Sequence, residues 1–233
     1  MFALHNISKT YASRRGVVKA LDEVSLFIEP GALLTVTGPS GSGKTTLLLT
    51  LGGMIRPSSG SIRFKGEELG GLGEKGLAHY RNQSVGFVLQ SFHLVPYLSA
   101  LQNVMVPMVL AGGAQGRNGA EQRARGLLDR LGLADRAGHL PRELSVGQQQ
   151  RVAIARALAN DPEVILADEP TGNLDPSLSR DVLGILKDLN RKEGRTVVLV
   201  THSPEAAAIG TQRLHLVDGR CLDGPAEENG GKE

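Results

Sequence analysis

The stretch Gly38-Pro39-Ser40-Gly41-Ser42-Gly43-Lys44-Thr45 constrains this chain more than any other. It fits G-x-x-x-x-G-K-[ST] and lies between two apolar runs, Leu33-Leu34-Thr35-Val36-Thr37 before it and Thr46-Leu47-Leu48-Leu49-Thr50-Leu51 after it. That order reads as strand, loop, helix, the setting in which the pattern has a physical meaning. Successive backbone N–H groups of a glycine-rich turn converge to make an anion cradle, and a helix starting near Lys44 adds the positive end of its dipole. The loop is therefore a P-loop, built to hold phosphates, with Lys44 reaching the outer phosphates and Thr45 placed to hold Mg²⁺.

Around it the chain alternates strand and helix signals. Phe2 to Ile7 and Val24 to Ile28 alternate apolar with polar residues and read as strands, with Pro30-Gly31 a turn. Tyr11 lies between them in a polar segment, either a stacking surface or a partly exposed strand-end tyrosine. Pro57 to Gly60 is a turn followed by strand alternation over Ser61 to Gly66, which predicts a hairpin. Glu74 to Arg81 predicts a short helix, and Ser84 to Leu89 a buried strand ending at Gln90. The segment after Gln90 is crowded with Leu, Val and Met, and its Pro96 and Pro107 argue against one long helix. Gly112 to Gly119 reads as a flexible loop and Ala120 to Leu131 as a helix. No strand signal returns until Glu163 to Ala167, so the middle region has the character of a helical insertion into an α/β domain. Asp175-Pro176 is an N-cap with proline at the first helical position, opening a helix to Arg191. Thr196 to Val200 is a buried strand, Arg213 to Val217 before Asp218-Gly219 suggests a terminal hairpin, and 223–233 is a polar tail.

Two further features carry chemistry. Asp168 and Glu169 stand at the end of a fully apolar strand, where phosphoryl chemistry beside a P-loop needs a carboxylate for Mg²⁺ and a general base for the attacking water. Ser145 and Gln148 make an S-x-x-Q capping box at the start of a helix. Gly147 is an unfavourable choice for a first helical turn, tolerated best where another group approaches the backbone closely. A helix N-terminus with Ser and Gly beside it offers a second phosphate site.

Taken in order, Gly38 to Thr45, Gln90, Leu144 to Gln148, Val164 to Glu169, Asn173-Leu174-Asp175 and His202 resemble the P-loop, Q-loop, signature, Walker B, D-loop and H-loop of the ABC-transporter ATPases. The resemblance covers nearly the whole chain. Over Ala167 to Asp175 it is greatest to the lipoprotein-releasing, macrolide-efflux and cell-division ATPase subunits. It implies an α/β fold, a P-loop NTPase (RecA-like) core with an antiparallel β subdomain and an inserted helical subdomain. The divisions would be about 1–90 and 161–222 for the core and about 91–160 for the helical part. It implies ATP and Mg²⁺ as ligands. Tyr11 would stack on adenine, and Gly38, Pro39, Ser40, Gly41, Ser42, Gly43, Lys44, Thr45 and Thr46 would hold the phosphates. Thr45, Gln90 and Asp168 would serve the metal, and Glu169, Gln90 and His202 catalysis. Ser145, Gly147 and Gln148 would complete the site of a second copy, so that two ATP molecules join a homodimer. One departure stands out: the family signature reads Leu-Ser-Gly-Gly-Gln, and Val146 replaces its first glycine. Were that position to require φ above zero, a β-branched residue there would be costly, whereas in a helical first turn it would not be.

Composition limits the partners. With 26 Lys and Arg against 24 Asp and Glu, net +2, nothing demands a nucleic acid. A lone cysteine, Cys221, forms no internal disulfide and fits a reducing compartment. No apolar run approaches the roughly 20 residues that span a bilayer, and the start lacks the pattern of a secretory signal. The expectation is a cytoplasmic subunit, peripheral on the inner membrane, meeting an integral-membrane permease through the segment after Gln90. Two other classes share the motifs, a cell-division-type regulator that signals without transport and a non-transport ATPase of DNA repair or the ribosome. The coiled-coil insertion, zinc modules or second cassette usual in the last class are not found here.

Overall fold

A computed structural model describes residues 1–13, 16–112 and 116–222. The expected tail at 223–233 and the centre of the expected 112–119 loop lie outside the described residues. Two sheets organise the rest. The larger comprises β3 (Leu33–Thr37), β6 (Val85–Leu89), β7 (Val164–Asp168), β8 (Thr196–Val200), β9 (Gln212–Val217) and β10 (Arg220–Cys221), in the order β10-β9-β3-β8-β7-β6. All its pairs are parallel except β10 with β9.

The apolar runs that mark β3, β7 and β8 are explained by burial on both faces. Ile165, Ala167, Val197 and Leu199 enter one hydrophobic cluster, and their neighbours Val164, Leu166, Val198 and Val200 enter another. The period-two alternation of a strand thus feeds two separate layers. On one side lie α6 (Pro176–Arg191), through Val182, Leu183, Leu186 and Leu189, and the helices that follow β6. On the other lie α1 (Lys44–Leu51) and the second sheet.

That second sheet is antiparallel, β1 (Phe2–Ser13), β2 (Gly16–Ile28), β4 (Ser59–Phe64) and β5 (Glu67–Glu68) in the order β2-β1-β4-β5. β1 and β2 are longer than the sequence suggested. Residues 16–19 of β2 are all exposed, so the extension has no apolar alternation to announce it and is held by backbone pairing with β1.

Between β6 and β7 stand α3 (Ala100–Leu110), α4 (Gly116–Arg130) and α5 (Val146–Ala157), with α2 (Glu74–Ser84) just before β6. The expectation that no long helix crosses both prolines holds, but Pro107 lies inside α3. Pro107 has no N–H to offer the Asn103 carbonyl one turn back, while the capping box of Ser99 and Gln102 fixes the first turn. The Pro107 carbonyl, moreover, accepts from Ala111 N, Asn82 Nδ2 and Asn160 Nδ2. α4 starts at Gly116, four residues before the expected Ala120, so the loop expected over 112–119 is shorter.

Candidate functional site

The P-loop, the ends of β6, β7 and β8 and one edge of β2 enclose a cavity of about 600 Å³. Ser40, Gly41, Gly43, Lys44, Thr45 and Thr46 form its floor, and Gln90, Asp168, Glu169, Gly172 and His202 its walls. Two glycines of the loop are dictated by geometry. Gly38, at φ 142°, would place a Cβ 2.0 Å from Leu216 O, and Gly43, at φ 99°, would place one 2.0 Å from Ala20 O. The loop is pressed between β9 and β2 with no room for a side chain at either contact. Ser42 is buried behind it, and its carbonyl accepts from Gly219 N at 3.1 Å.

α1 has no side-chain cap, and its first backbone bond is Leu47 N to Gly43 O at 2.8 Å. The N–H groups of Lys44, Thr45 and Thr46 therefore have no acceptor within the helix, at the floor of the cavity. Lys44 Nζ donates to Gly38 O and Pro39 O at 2.9 and 2.7 Å. Burial pushes its ammonium below the ordinary lysine pKa, opposed by the charges of Glu169 and Asp168.

Thr45 Oγ1 donates to Asp168 Oδ2 at 3.0 Å, across 123 residues of sequence. Burial raises the Asp168 pKa, while the Thr45 hydrogen bond, Lys44 and His202 oppose the rise. Glu169 is one residue past the end of β7, at φ 44°, with its N–H held by Val200 O at 3.0 Å. Its carboxylate accepts from His202 N at 3.3 Å, and His202 Nε2 stands 3.3 Å from Oε1 without hydrogen-bond alignment. Gln90 follows β6, whose Leu89 is the register partner of Asp168. Its carbonyl accepts from Asn173 Nδ2 at 3.1 Å, and its Nε2 stands 3.1 Å from where a Cβ on Gly172 would be.

Asp168 Oδ1, Glu169 Oε1 and Ser42 Oγ are buried without a hydrogen-bond partner among the described residues. Unpartnered buried oxygens are costly. Their grouping at this loop suits a site that takes a polyphosphate with a hard divalent cation. Among the described residues no group of three or more His, Cys, Asp and Glu side chains could hold a metal ion alone. A Thr hydroxyl and one carboxylate are the donor set by which Mg²⁺ is held when phosphates and water supply the rest.

Not every expected residue comes to this cavity. Tyr11, 40% exposed, lies on β1 opposite Val18, two positions along β2 from the cavity-lining Ala20, with Lys9 Nζ 5.3 Å from its ring centre. Ser145, Gly147 and Gln148 do not line the cavity at all. The capping box is present, with Ser145 N to Gln148 Oε1 at 2.9 Å and Gln148 N to Ser145 Oγ at 3.3 Å, and Val146 is the first residue of α5. The group that approaches Gly147 is Leu178, whose Cδ2 would meet a Cβ at 2.8 Å. Within one chain, the group expected to approach the backbone closely at this glycine is the end of the Leu178 side chain. Sequence reasoning missed Ala20, Val200 and Gly172 as cavity residues. The first sits in an exposed strand without a signal, and Gly172 is distinguishable from any turn glycine only once Gln90 is seen against it.

The sequence model of a family described as ABC transporter matches residues 21–172. The lipoprotein-releasing system ATP-binding protein LolD of Geobacter metallireducens is 47% identical over 217 residues, 93% of this chain and 96% of that protein. The macrolide export ATP-binding/permease protein MacB 1/2 of Paracoccus denitrificans is 50% identical over 222 residues, 95% of this chain. The chain spans about a third of the length of that relative, 33%. Among solved structures, the dimeric post-hydrolysis state of the ATP-binding cassette MJ0796 bound to ADP and Pi superposes with a TM-score of 0.89. Its identity is 40%, over 96% of this chain and 97% of that one.

Proposed function

The chain belongs to the ABC transporter family, and we propose that it is the ATP-binding and hydrolysing subunit of a membrane transporter of the lipoprotein-release or macrolide-efflux type, driven by ATP-dependent dimerisation. The observation that carries this reading is the division of the site. One end of the chain's chemistry, Lys44, Thr45, Gln90, Asp168, Glu169 and His202, converges on one cavity. The exposed Ser145 and the Gln148 beside it stand elsewhere, at the N-terminus of α5. A helix N-terminus suits an anion. A second copy, arranged head to tail, would bring that N-terminus over the phosphates held by the first.

In the composite site Lys44 and the N–H groups at the start of α1 bind the β- and γ-phosphates, and Tyr11 stacks on adenine. Thr45 and Asp168 would hold Mg²⁺, which when bound neutralises charge developing on the phosphates. Gln90 orients the attacking water and Glu169 accepts its proton. His202, beside Glu169, donates to the γ-phosphate. Signature residues of the second copy exclude solvent and close the site, so turnover requires the dimer.

A permease partner is supported by the surface after Gln90. Tyr97 is 78% exposed and Leu110 77%, and a groove of about 590 Å³ runs among α2, β6, α3 and α5. Contiguous apolar exposure marks interaction surfaces, and Leu110 lines this groove together with Val106 and Phe87. In this reading 91–160 forms the helical subdomain that receives the permease at the cytoplasmic face of the inner membrane. Among the described residues no helix is long and apolar enough to cross a membrane.

Glu169→Gln removes the proton acceptor and leaves binding intact, so with ATP it should accumulate as a dimer. Light scattering coupled to sizing chromatography checks this, and a monomer at saturating ATP would overturn the proposal.

A further inference from the structure

α5 starts at the Ser145–Gln148 cap and ends beside the loop that follows Gln90, and an arginine near its C-terminus is bonded to that loop twice. Arg156 Nη1 donates to His93 O and Nη2 to Phe92 O, both at 2.6 Å. Among the described residues no carboxylate pairs with this half-buried guanidinium, so its charge is satisfied by main-chain oxygens. Such charge-assisted bonds are strong and directional.

The two acceptor residues are in an uncommon conformation. Phe92 and His93 are consecutive, neither is glycine, and both are left-handed, at φ 54° and 49°. Within the loop, Phe92 N bonds to Leu89 O at 3.0 Å. His93 N bonds to Ser91 O at 2.5 Å, closing a three-residue turn around Phe92, of the positive-φ hand that is rare and strained. Strain of this kind persists only where surrounding structure imposes it, and the guanidinium fork is the group that grips both carbonyls.

The same helix reaches the other catalytic loop. Gln150, buried, donates from Nε2 to Pro170 O at 2.8 Å, one residue past Glu169. Asn173 Nδ2 to Gln90 O, at 3.1 Å, then ties the two loops to each other.

We propose that Arg156 is a positioning residue for hydrolysis: by gripping the Phe92 and His93 carbonyls it holds the loop after Gln90 in its left-handed form and fixes Gln90 in the cavity that Glu169 also lines. It thereby makes that loop move with the helix whose other end is Ser145–Gln148. A shift of the α5 N-terminus on meeting a second copy is passed along a rigid rod to Gln90. The inference rests on the reading that Gln90 orients the attacking water.

The test is steady-state phosphate release by the full chain with Mg²⁺ and ATP. Arg156→Gln should lower kcat by about tenfold, with KM within about threefold, since a displaced catalytic group costs turnover more than binding. Adding His93→Gly should restore at least about threefold, because glycine takes the left-handed form without help. Arg156→Lys, able to reach one carbonyl, should fall between. The inference is overturned by an Arg156→Gln kcat within about twofold of the wild type, by a loss in KM alone, or by a folded double variant with no recovery. If Arg156→Gln does not fold, Arg156→Lys decides, an intermediate kcat supporting the inference and a wild-type one overturning it. Gln90→Ala separates the layers of the argument. Wild-type turnover in that variant removes the Gln90 reading and the inference with it, whereas a slow Gln90→Ala beside a normal Arg156→Gln removes the inference alone.

Discussion

The methyl groups of Leu178, in the first turn of α6, occupy the space that a side chain on Gly147 would need. The signature helix therefore rests on the turn that follows Asp175, and part of the demand for glycine is made inside one chain. Gly147→Ala sets about 1 kcal/mol of overpacking, the low end because Leu178 is half-exposed and can yield, against a comparable gain in helix propensity, so net stability without nucleotide should change by less than about 1 kcal/mol. Leu178→Ala should relieve the overpacking, with a coupling of about 0.5 kcal/mol or more in a denaturant-melt double-mutant cycle.

Val146 is a different case. It is the first residue of α5, 46% exposed, and is not among the residues with positive φ. Val146→Gly should leave ATP turnover within about threefold and cost about 0.5 kcal/mol of helix stability. A rise in turnover by orders of magnitude would show that the valine impairs the site.

Asp168 should make ligand-free stability depend on pH. Its folded pKa is raised, burial being the main cause, so the folded state holds the proton more tightly than the unfolded chain. That contribution is complete below the unfolded value of about 4 and is lost as pH rises through the folded one. Asp168→Asn keeps an acceptor for Thr45 and has no charge to bury. In the presence of EDTA its melting temperature should gain on the wild type as pH rises above about 4, then level off. A constant difference across pH would contradict the raised pKa.

Tyr97→Asp puts a charge on the exposed apolar surface after Gln90, outside the nucleotide cavity. Basal ATP hydrolysis should stay within about twofold, since surface changes of this kind seldom affect stability. Stimulation by the co-expressed permease, and transport, should be lost. Normal stimulation would place the contact elsewhere.

Much of this was legible in the chain. Gly38 to Thr45, the strands ending at Leu89, Asp168 and Val200, and the caps at Ser145 and Asp175 are local patterns whose physics is complete within ten residues. The long outer halves of β1 and β2 were not, because their residues are exposed and only pairing makes them strands. The place of Pro107 inside α3 was not legible either, since the donors to its carbonyl, Asn82 and Asn160, are distant in sequence. The left-handed Phe92, His93 and Glu169 leave no trace in composition, since they are imposed by partners rather than preferred by the residues.

Gly38 lies against Leu216 and Gly43 against Ala20, so the phosphate loop is walled by one strand made before it and by another made some 170 residues later. During synthesis the loop emerges early but lacks half its mould until β9 leaves the ribosome. A growing chain truncated before Gln212 should fail to retain nucleotide even though every residue of the loop is present. ATP capture would then wait for β9, however early the loop itself was made.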